Sequence, residues 1–249
     1  QVDIFEAQVS GGYPESNHRS RADCHRAFFE SYVTTLVSRD VRDISNIDDP
    51  PALRRLLQLA AARSATLLNT SELSRSLGLP VSTLKRYLAL LETLFLVREV
   101  GAWSSNRGKR LVRSPKLHVV DTGLLAALAG FDVETLRDNR QLMGPVLESF
   151  VVAELTKQLG WSTTCANLYH FRTHGGREVD VVLEDSRGRV VGIEVKSSST
   201  VTSSDFAGLR ELSETAGKTF VQGLVLHMGA DRIAFGPNLT ACPIDAVWS

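Results

Sequence analysis

Apolar positions along the chain set the first expectations. Between Arg19 and about Ser45, Phe28, Phe29, Tyr32, Val33, Leu36 and Val37 recur at spacings of three and four, the period of a helix with one buried face. Pro50-Pro51 interrupts that run, and Leu53, Leu56, Leu57 and Ala60 predict a second helix from roughly Ala52 to Ala62. Upstream, the stretch from Gln1 to about Asn17 opens without Met and ends in Gly11-Gly12-Tyr13-Pro14-Glu15, which is turn chemistry. It reads as the tail of something longer.

The pattern from Leu67 to Val120 is more specific. Ser71 is placed to cap a short helix through Leu77, Gly78 to end it, and Ser82 to cap a longer helix through about Phe95. Two helices meeting at a glycine-containing turn make a helix-turn-helix unit. Leu96–Val100 and Leu117–Val120 then predict two short strands, with the polar loop Ser104–Arg110 between them as a wing. A connector follows from Gly123 to Leu142, with one short helix near Leu124–Ala129. Beyond it the expected order is a helix from Val146 to about Leu159, strands near Leu168–Thr173, Glu178–Leu183 and Val190–Lys196, a helix from Asp205 to about Thr215, and a strand near Phe220–His227. The fold class expected is therefore α/β. N-terminal helices (1–66) and a winged helix (67–122) lead through a connector (123–145) to an α/β domain (146–249).

Composition narrows this only a little. Lys+Arg and Asp+Glu both number 28, so net charge points to no polyanionic or polycationic partner, and a nucleic-acid surface has to come from local clustering. The three cysteines, Cys24, Cys165 and Cys242, lie far apart and lack zinc-site spacing. With no secretory h-region and no apolar run long enough to span a bilayer, the expectation is a soluble, cytoplasmic protein with no membrane partner.

Chemistry concentrates in the last unit. Side chains alternate across a strand, so in Glu178–Leu183 the apolar Val179, Val181 and Leu183 face away from Asp180. On the next strand Glu194 and Lys196 point the same way, and a regular hairpin brings Asp180 toward both. Two carboxylates on half-buried strands are costly to desolvate. A divalent cation would relieve their repulsion, and oxygen ligands of this kind suit Mg²⁺ or Mn²⁺. The competing view is a surface salt-bridge cluster, against which the apolar flanks weigh. His170 and His174 are read as residues of a strand and its turn.

A second concentration is basic. From Arg75 to Lys116 there are nine Lys or Arg residues against only Glu92 and Glu99. Lys85 and Arg86 on the second helix, with Arg107, Lys109 and Arg110 in the wing, are candidates for DNA phosphate contacts. A packing module with a solvated basic surface remains the alternative.

Asp180, thirteen intervening residues, then Glu194-Val195-Lys196 resembles the core of the PD-(D/E)XK nuclease superfamily. That resemblance implies metal binding by Asp180 and Glu194 and a catalytic Lys196 beside the scissile phosphate. It also implies a helix glutamate completing the site, for which Glu148 is the candidate and a solvated helix flank the alternative. No proline precedes Asp180, which is a departure from the pattern.

Over nearly its whole length the chain is also similar to the C-terminal region of a prokaryotic family of AAA-type ATPases. The stretches carrying this are Gly11–Glu15, Ser38-Arg39-Asp40-Val41, Leu94–Val97, Gly108–Val112, Ser114–Leu117, Asp121–Leu125, Leu168–Thr173 and Gly192–Lys196. The resemblance implies an ATPase domain in longer relatives and makes 1–66 a lid remnant. No P-loop sequence occurs here, so no ATPase activity is expected of this chain alone. The function expected is a metal-dependent DNA phosphodiesterase module. The alternative is a non-catalytic DNA- or protein-interaction module regulating an ATPase.

Overall fold

The structure is a computed structural model, and it describes residues 3–17, 22–37 and 49–248. Helix α1 (Ile4–Ser10) is opened by Asp3, whose carboxylate accepts from Phe5 N at 2.9 Å. It is followed by α2 (Pro14–Asn17) and α3 (Ala22–Thr35). The first of these occupies a segment expected to be a tail. The stretch Ser38-Arg39-Asp40-Val41 lies outside the described residues. Helix α4 (Pro50–Ala62) takes both prolines in its first turn, where no intrahelical N–H is needed, and Asp49 caps it by accepting from Ala52 N at 2.9 Å.

After β1 (Thr66–Leu67) comes α5 (Thr70–Leu77), capped by Asn69 rather than Ser71 and ended by Gly78 at φ 66°. Helix α6 (Val81–Thr93) starts behind Pro80 with no side-chain cap. It stops before Phe95, which takes φ 55°. Strand β2 (Val97–Val100) leads to a short helix α7 (Arg107–Arg110), where the sequence predicts only loop, and then to β3 (Lys116–Val119). The expected single-helix connector instead holds α8 (Thr122–Ala129), α9 (Val133–Asp138) and the start of α10 (Arg140–Trp161), which carries Pro145 inside it. The remaining elements are β4 (Ala166–Arg172), β5 (Glu178–Asp185), β6 (Val190–Lys196), α11 (Ala207–Ala216), β7 (Phe220–His227), β8 (Ile233–Gly236) and β9 (Leu239–Pro243). The last two strands are additions to the sequence reading.

The chain divides into two units, one of Gln1–Glu99 with Leu117–Phe150 and one of Val100–Lys116 with Val151–Ser249. In the first, α8 packs against α1, α3 and α4, and the core includes Leu53, Leu56, Leu57, Leu84, Leu91 and Leu124, all with no exposed surface. A small sheet of order β1-β3-β2 accompanies α5 and α6. Asp121 ties two parts of this unit together. Its Oδ1 caps α8 through Leu124 N at 2.9 Å, while Oδ2 accepts from Gly12 N at 2.6 Å.

The second unit is a six-stranded mixed sheet of order β4-β5-β6-β7-β9-β8. Pairings β4–β5, β5–β6 and β8–β9 are antiparallel, and β6–β7 and β7–β9 are parallel. Phe206, Leu209 and Leu212, in and just before α11, pack on Val179, Val182, Val190 and Val225 of the sheet, with Trp103 and Phe171 in the same core. Among the described residues no helix is long and apolar enough to cross a membrane.

Candidate active site

Strand β5 lies between β4 and β6, and its residues 179–182 are all buried. A carboxylate there needs partners, since an unpaired buried charge is strongly disfavoured. The β5–β6 ladder runs through Val182 opposite Gly192 and Val181 opposite Ile193. One step further the Asp180 side chain takes up the pairing, its Oδ2 accepting from Val195 N at 2.9 Å. Its Oδ1 accepts from Lys116 Nζ at 3.1 Å.

Glu194, on β6, accepts from Lys196 Nζ through Oε1 at 2.9 Å. Its other oxygen, Oε2, is buried without a hydrogen-bond partner among the described residues. Burial, and then the nearby charge of Asp180, pushes its pKa up to about 8, with Lys196 and Lys116 opposing the rise. Burial opposes the charge of the Lys196 ammonium, yet Glu194, Asp180 and Asp205 together hold its pKa above the ordinary lysine value. Asp180, Glu194 and Lys196 therefore meet as the strand periodicity predicts.

Glu148 belongs to the first unit, where its Oε1 is 3.9 Å from His118 Nε2. In that unit His118 Nδ1 lies 3.3 Å from Ser149 Oγ, which lies 2.9 Å from Ser64 Oγ. No group of three or more His, Cys, Asp or Glu side chains gathers as a metal site among the described residues.

Lys116 is the residue that sequence reasoning passed over, counting it with the basic surface. It is 3% exposed, and its Nζ also stands 3.8 Å from Glu178 Oε2. The available signal was a lysine opening the strand pattern Lys116-Leu117-His118-Val119, where a buried ammonium needs an anion beside it. Its partner lies 64 residues away in the chain, beyond the reach of any local pattern.

The candidate phosphate-contacting residues fall into two groups. Lys85 and Arg86 are exposed on α6, and Arg107 and Lys109 are exposed on α7. Arg110 is different. Its guanidinium clamps Glu184 at 2.5 and 2.9 Å, donates from Nε to Ser104 O at 2.6 Å, and lies over the rings of Trp103 and Tyr169. That bidentate pair, chiefly through the hydrogen bonds from Arg110, holds the Glu184 carboxyl below the usual range. His170 sits on β4 as expected, with its Nε2 3.2 Å from Ser114 O.

The chain is similar to two curated relatives, both uncharacterized proteins, one from Mycobacterium bovis and one from Mycobacterium tuberculosis. Each is 30% identical over 241 residues, which is 96% of this chain and 52% of the relative. The chain thus spans about half the length of the curated relatives it matches. Residues 143–247, which contain the Asp180–Glu194 pair, match the family described as Domain of unknown function (DUF4143). Residues 1–135, more than half of the chain, match the one described as Domain of unknown function (DUF8612), and it is to this DUF8612 family that the chain belongs.

Proposed function

We propose that the second unit is a PD-(D/E)XK-type phosphodiesterase module that cleaves DNA with Mg²⁺ or Mn²⁺, and that α5, α6 and the β1-β3-β2 sheet form a winged helix. The observation that carries the catalytic reading is the buried, unpartnered Oε2 of Glu194 on the strand next to Asp180. An orphaned carboxylate oxygen in a buried position calls for a proton or a cation. Mg²⁺ is commonly held by one or two carboxylates, with water and substrate phosphate supplying the rest, so Asp180 and Glu194 suffice without a third acidic side chain. The order α10, β4, β5, β6, α11, β7 supports the same reading, because it joins an antiparallel hairpin to a parallel strand through a crossover helix.

In this reading Asp180 and Glu194 hold the cation. The cation would supply charge neutralisation at the phosphodiester. Lys196, with Nζ 2.9 Å from Glu194 Oε1 and about one-third of its side chain exposed, presents an ammonium to a non-bridging phosphate oxygen as negative charge builds there. Lys116 holds Asp180 in position from the buried side. Lys85, Arg86, Arg107 and Lys109 supply phosphate contacts for DNA, and an ATPase domain in longer relatives is the proposed partner. The test is cleavage of plasmid and linear DNA by the purified chain with Mn²⁺. Asp180→Ala and Glu194→Ala should abolish cleavage, and Lys196→Ala should slow it about 10²–10³-fold. Cleavage undiminished in the two carboxylate variants would overturn the assignment.

A second reading has its own support. Both carboxylates already face a lysine, Asp180 with Lys116 and Glu194 with Lys196, so the cluster approaches charge balance without a metal. That arrangement fits a non-catalytic interaction module that regulates an ATPase. Saturable Mn²⁺ binding by the wild-type chain, lost in Glu194→Gln, separates the two.

A further inference from the structure

From Gly101 to Val120 the chain has no acidic residue and five basic ones, Arg107, Lys109, Arg110, Arg113 and Lys116. Two of the five are paired with carboxylates in the second unit, Arg110 with Glu184 and Lys116 with Asp180. Between the other three stand Leu111 and Val112, which are 89% and 84% exposed. Exposed aliphatic residues are ordinary when single and scattered. Here they are adjacent, at the tip of a segment that is firmly held.

The anchoring is specific. Trp103 N donates to His170 O at 2.6 Å, and His170 N donates to Gly101 O at 2.9 Å. Beyond the tip, Arg113 Nη1 donates to Arg172 O at 3.2 Å, and Lys116 closes the segment on Asp180 at 3.1 Å. Arg110, next to Leu111 in the chain, is clamped on Glu184 and lies over the rings of Trp103 and Tyr169. A loop fixed at its base, with two exposed aliphatic side chains and cations on both sides in sequence, presents an apolar point in a cationic frame.

We infer that residues 106–113 are a wedge for duplex DNA. Arg107, Lys109 and Arg113 neutralise phosphates on either side, while Leu111 and Val112 enter a base step and partly unstack it. Proteins that kink DNA insert aliphatic residues in this manner. Pyrimidine–purine steps yield most easily. An anionic bilayer is the other polyanionic surface to consider, but surface-bound segments draw on a long amphipathic helix. Helix α7 has four residues and its segment only two aliphatic side chains. The inference rests on the proposed DNA partner and is independent of whether Asp180 and Glu194 catalyse. It assigns Arg110 to holding the loop rather than to a phosphate.

The experiment uses the whole chain in EDTA, so that binding is read without cleavage. A fluorescein-labelled 30-bp duplex reports binding by anisotropy, and the same duplex with 2-aminopurine at pyrimidine–purine steps reports unstacking. Wild type should bind and raise the 2-aminopurine emission. Leu111→Ser/Val112→Ser should bind within about threefold of wild type and lose most of that rise, because phosphate contacts dominate affinity. Arg107→Ala/Lys109→Ala should weaken binding and reduce the salt dependence by about two phosphate contacts. An emission rise that survives the Leu111/Val112 substitutions overturns the wedge, as does failure of wild type to bind the duplex. Binding to phosphatidylserine vesicles but not to the duplex also overturns it in favour of a lipid surface. If Glu194→Gln cleaves DNA as well as wild type while unstacking still requires Leu111 and Val112, the catalytic reading fails and the wedge stands.

Discussion

His170 shows how one buried side chain links the fold to pH. It is 1% exposed, and its Nε2 reaches Ser114 O at 3.2 Å. The Nδ1 atom is buried without a hydrogen-bond partner among the described residues. Burial, reinforced by the charge of Lys116, lowers its pKa to about 4. The unfolded chain takes up the proton near pH 6.5, the ordinary histidine value, and the folded chain only near pH 4. The stability from neutral His170 is therefore whole above pH 6.5 and is lost as pH falls toward 4. Its size is about 3 kcal/mol on the conversion of 1.36 kcal/mol for each pKa unit. Urea unfolding at pH 7 and pH 4 should show the wild-type chain losing about that much more than His170→Gln, whose amide keeps a donor toward Ser114. Equal losses in the two proteins would mean that His170 is not held neutral by the fold.

Elements carry the record of what the sequence makes legible. Strands β6 and β7 fall where expected because Val190–Lys196 and Phe220–His227 are rich in valine, leucine, isoleucine and phenylalanine. The meeting of Asp180, Glu194 and Lys196 follows from period-two alternation and a hairpin, both local. Strands β8 and β9 were not legible, since Ile233–Gly236 and Leu239–Pro243 are short and end in glycine or proline. The start of α10 was missed for a related reason. Proline commonly opens a helix, whereas Pro145 lies inside this one. Lys116 as the partner of Asp180 was invisible because tertiary pairing alone decides it.

Gly123 belongs to a stretch, Asp121–Leu125, that the family resemblance marks without giving the reason. A Cβ there would lie 2.6 Å from the backbone oxygen of Ser10, so the close passage of α1's end by the start of α8 requires glycine. The same Cβ would lie 2.9 Å from Gly11 N, and Gly11 itself takes φ 70° beside Asp121. Two stretches that resemble the ATPase-associated family, Gly11–Glu15 and Asp121–Leu125, thus form one contact through Gly12 N and Asp121. Gly123→Ala should destabilise the first unit by about 1–3 kcal/mol, the usual cost of overpacking a tight contact. Chemical denaturation followed by a probe in that unit measures this, and an unchanged midpoint would show that the contact is slack.

For the molecule as a whole, the proposed cation would act on the stability of the unit that carries its site. The first unit has its leucine-rich helical core, and the second has the sheet core around Val179, Val182 and Val225. Asp180 and Glu194 both lie in the second. In the proposed reading a cation bound there would satisfy Glu194 Oε2 and offset the repulsion between the two carboxylates, gains that unfolding would remove. At a hundredfold excess over its Kd, a ligand specific for the folded state contributes about 2.7 kcal/mol, enough to raise Tm by about 10 °C in a domain of about 100 residues. Calorimetry with Mn²⁺ should therefore shift the transition of the second unit by that order and leave that of the first in place. Glu194→Gln should abolish the shift, because the amide keeps the shape but not the charge. In EDTA the same variant should melt no lower than wild type, since it removes the buried carboxylate that faces Asp180. If Mn²⁺ leaves both transitions unmoved, the lysines already balance the carboxylates, and the interaction-module reading becomes the better account.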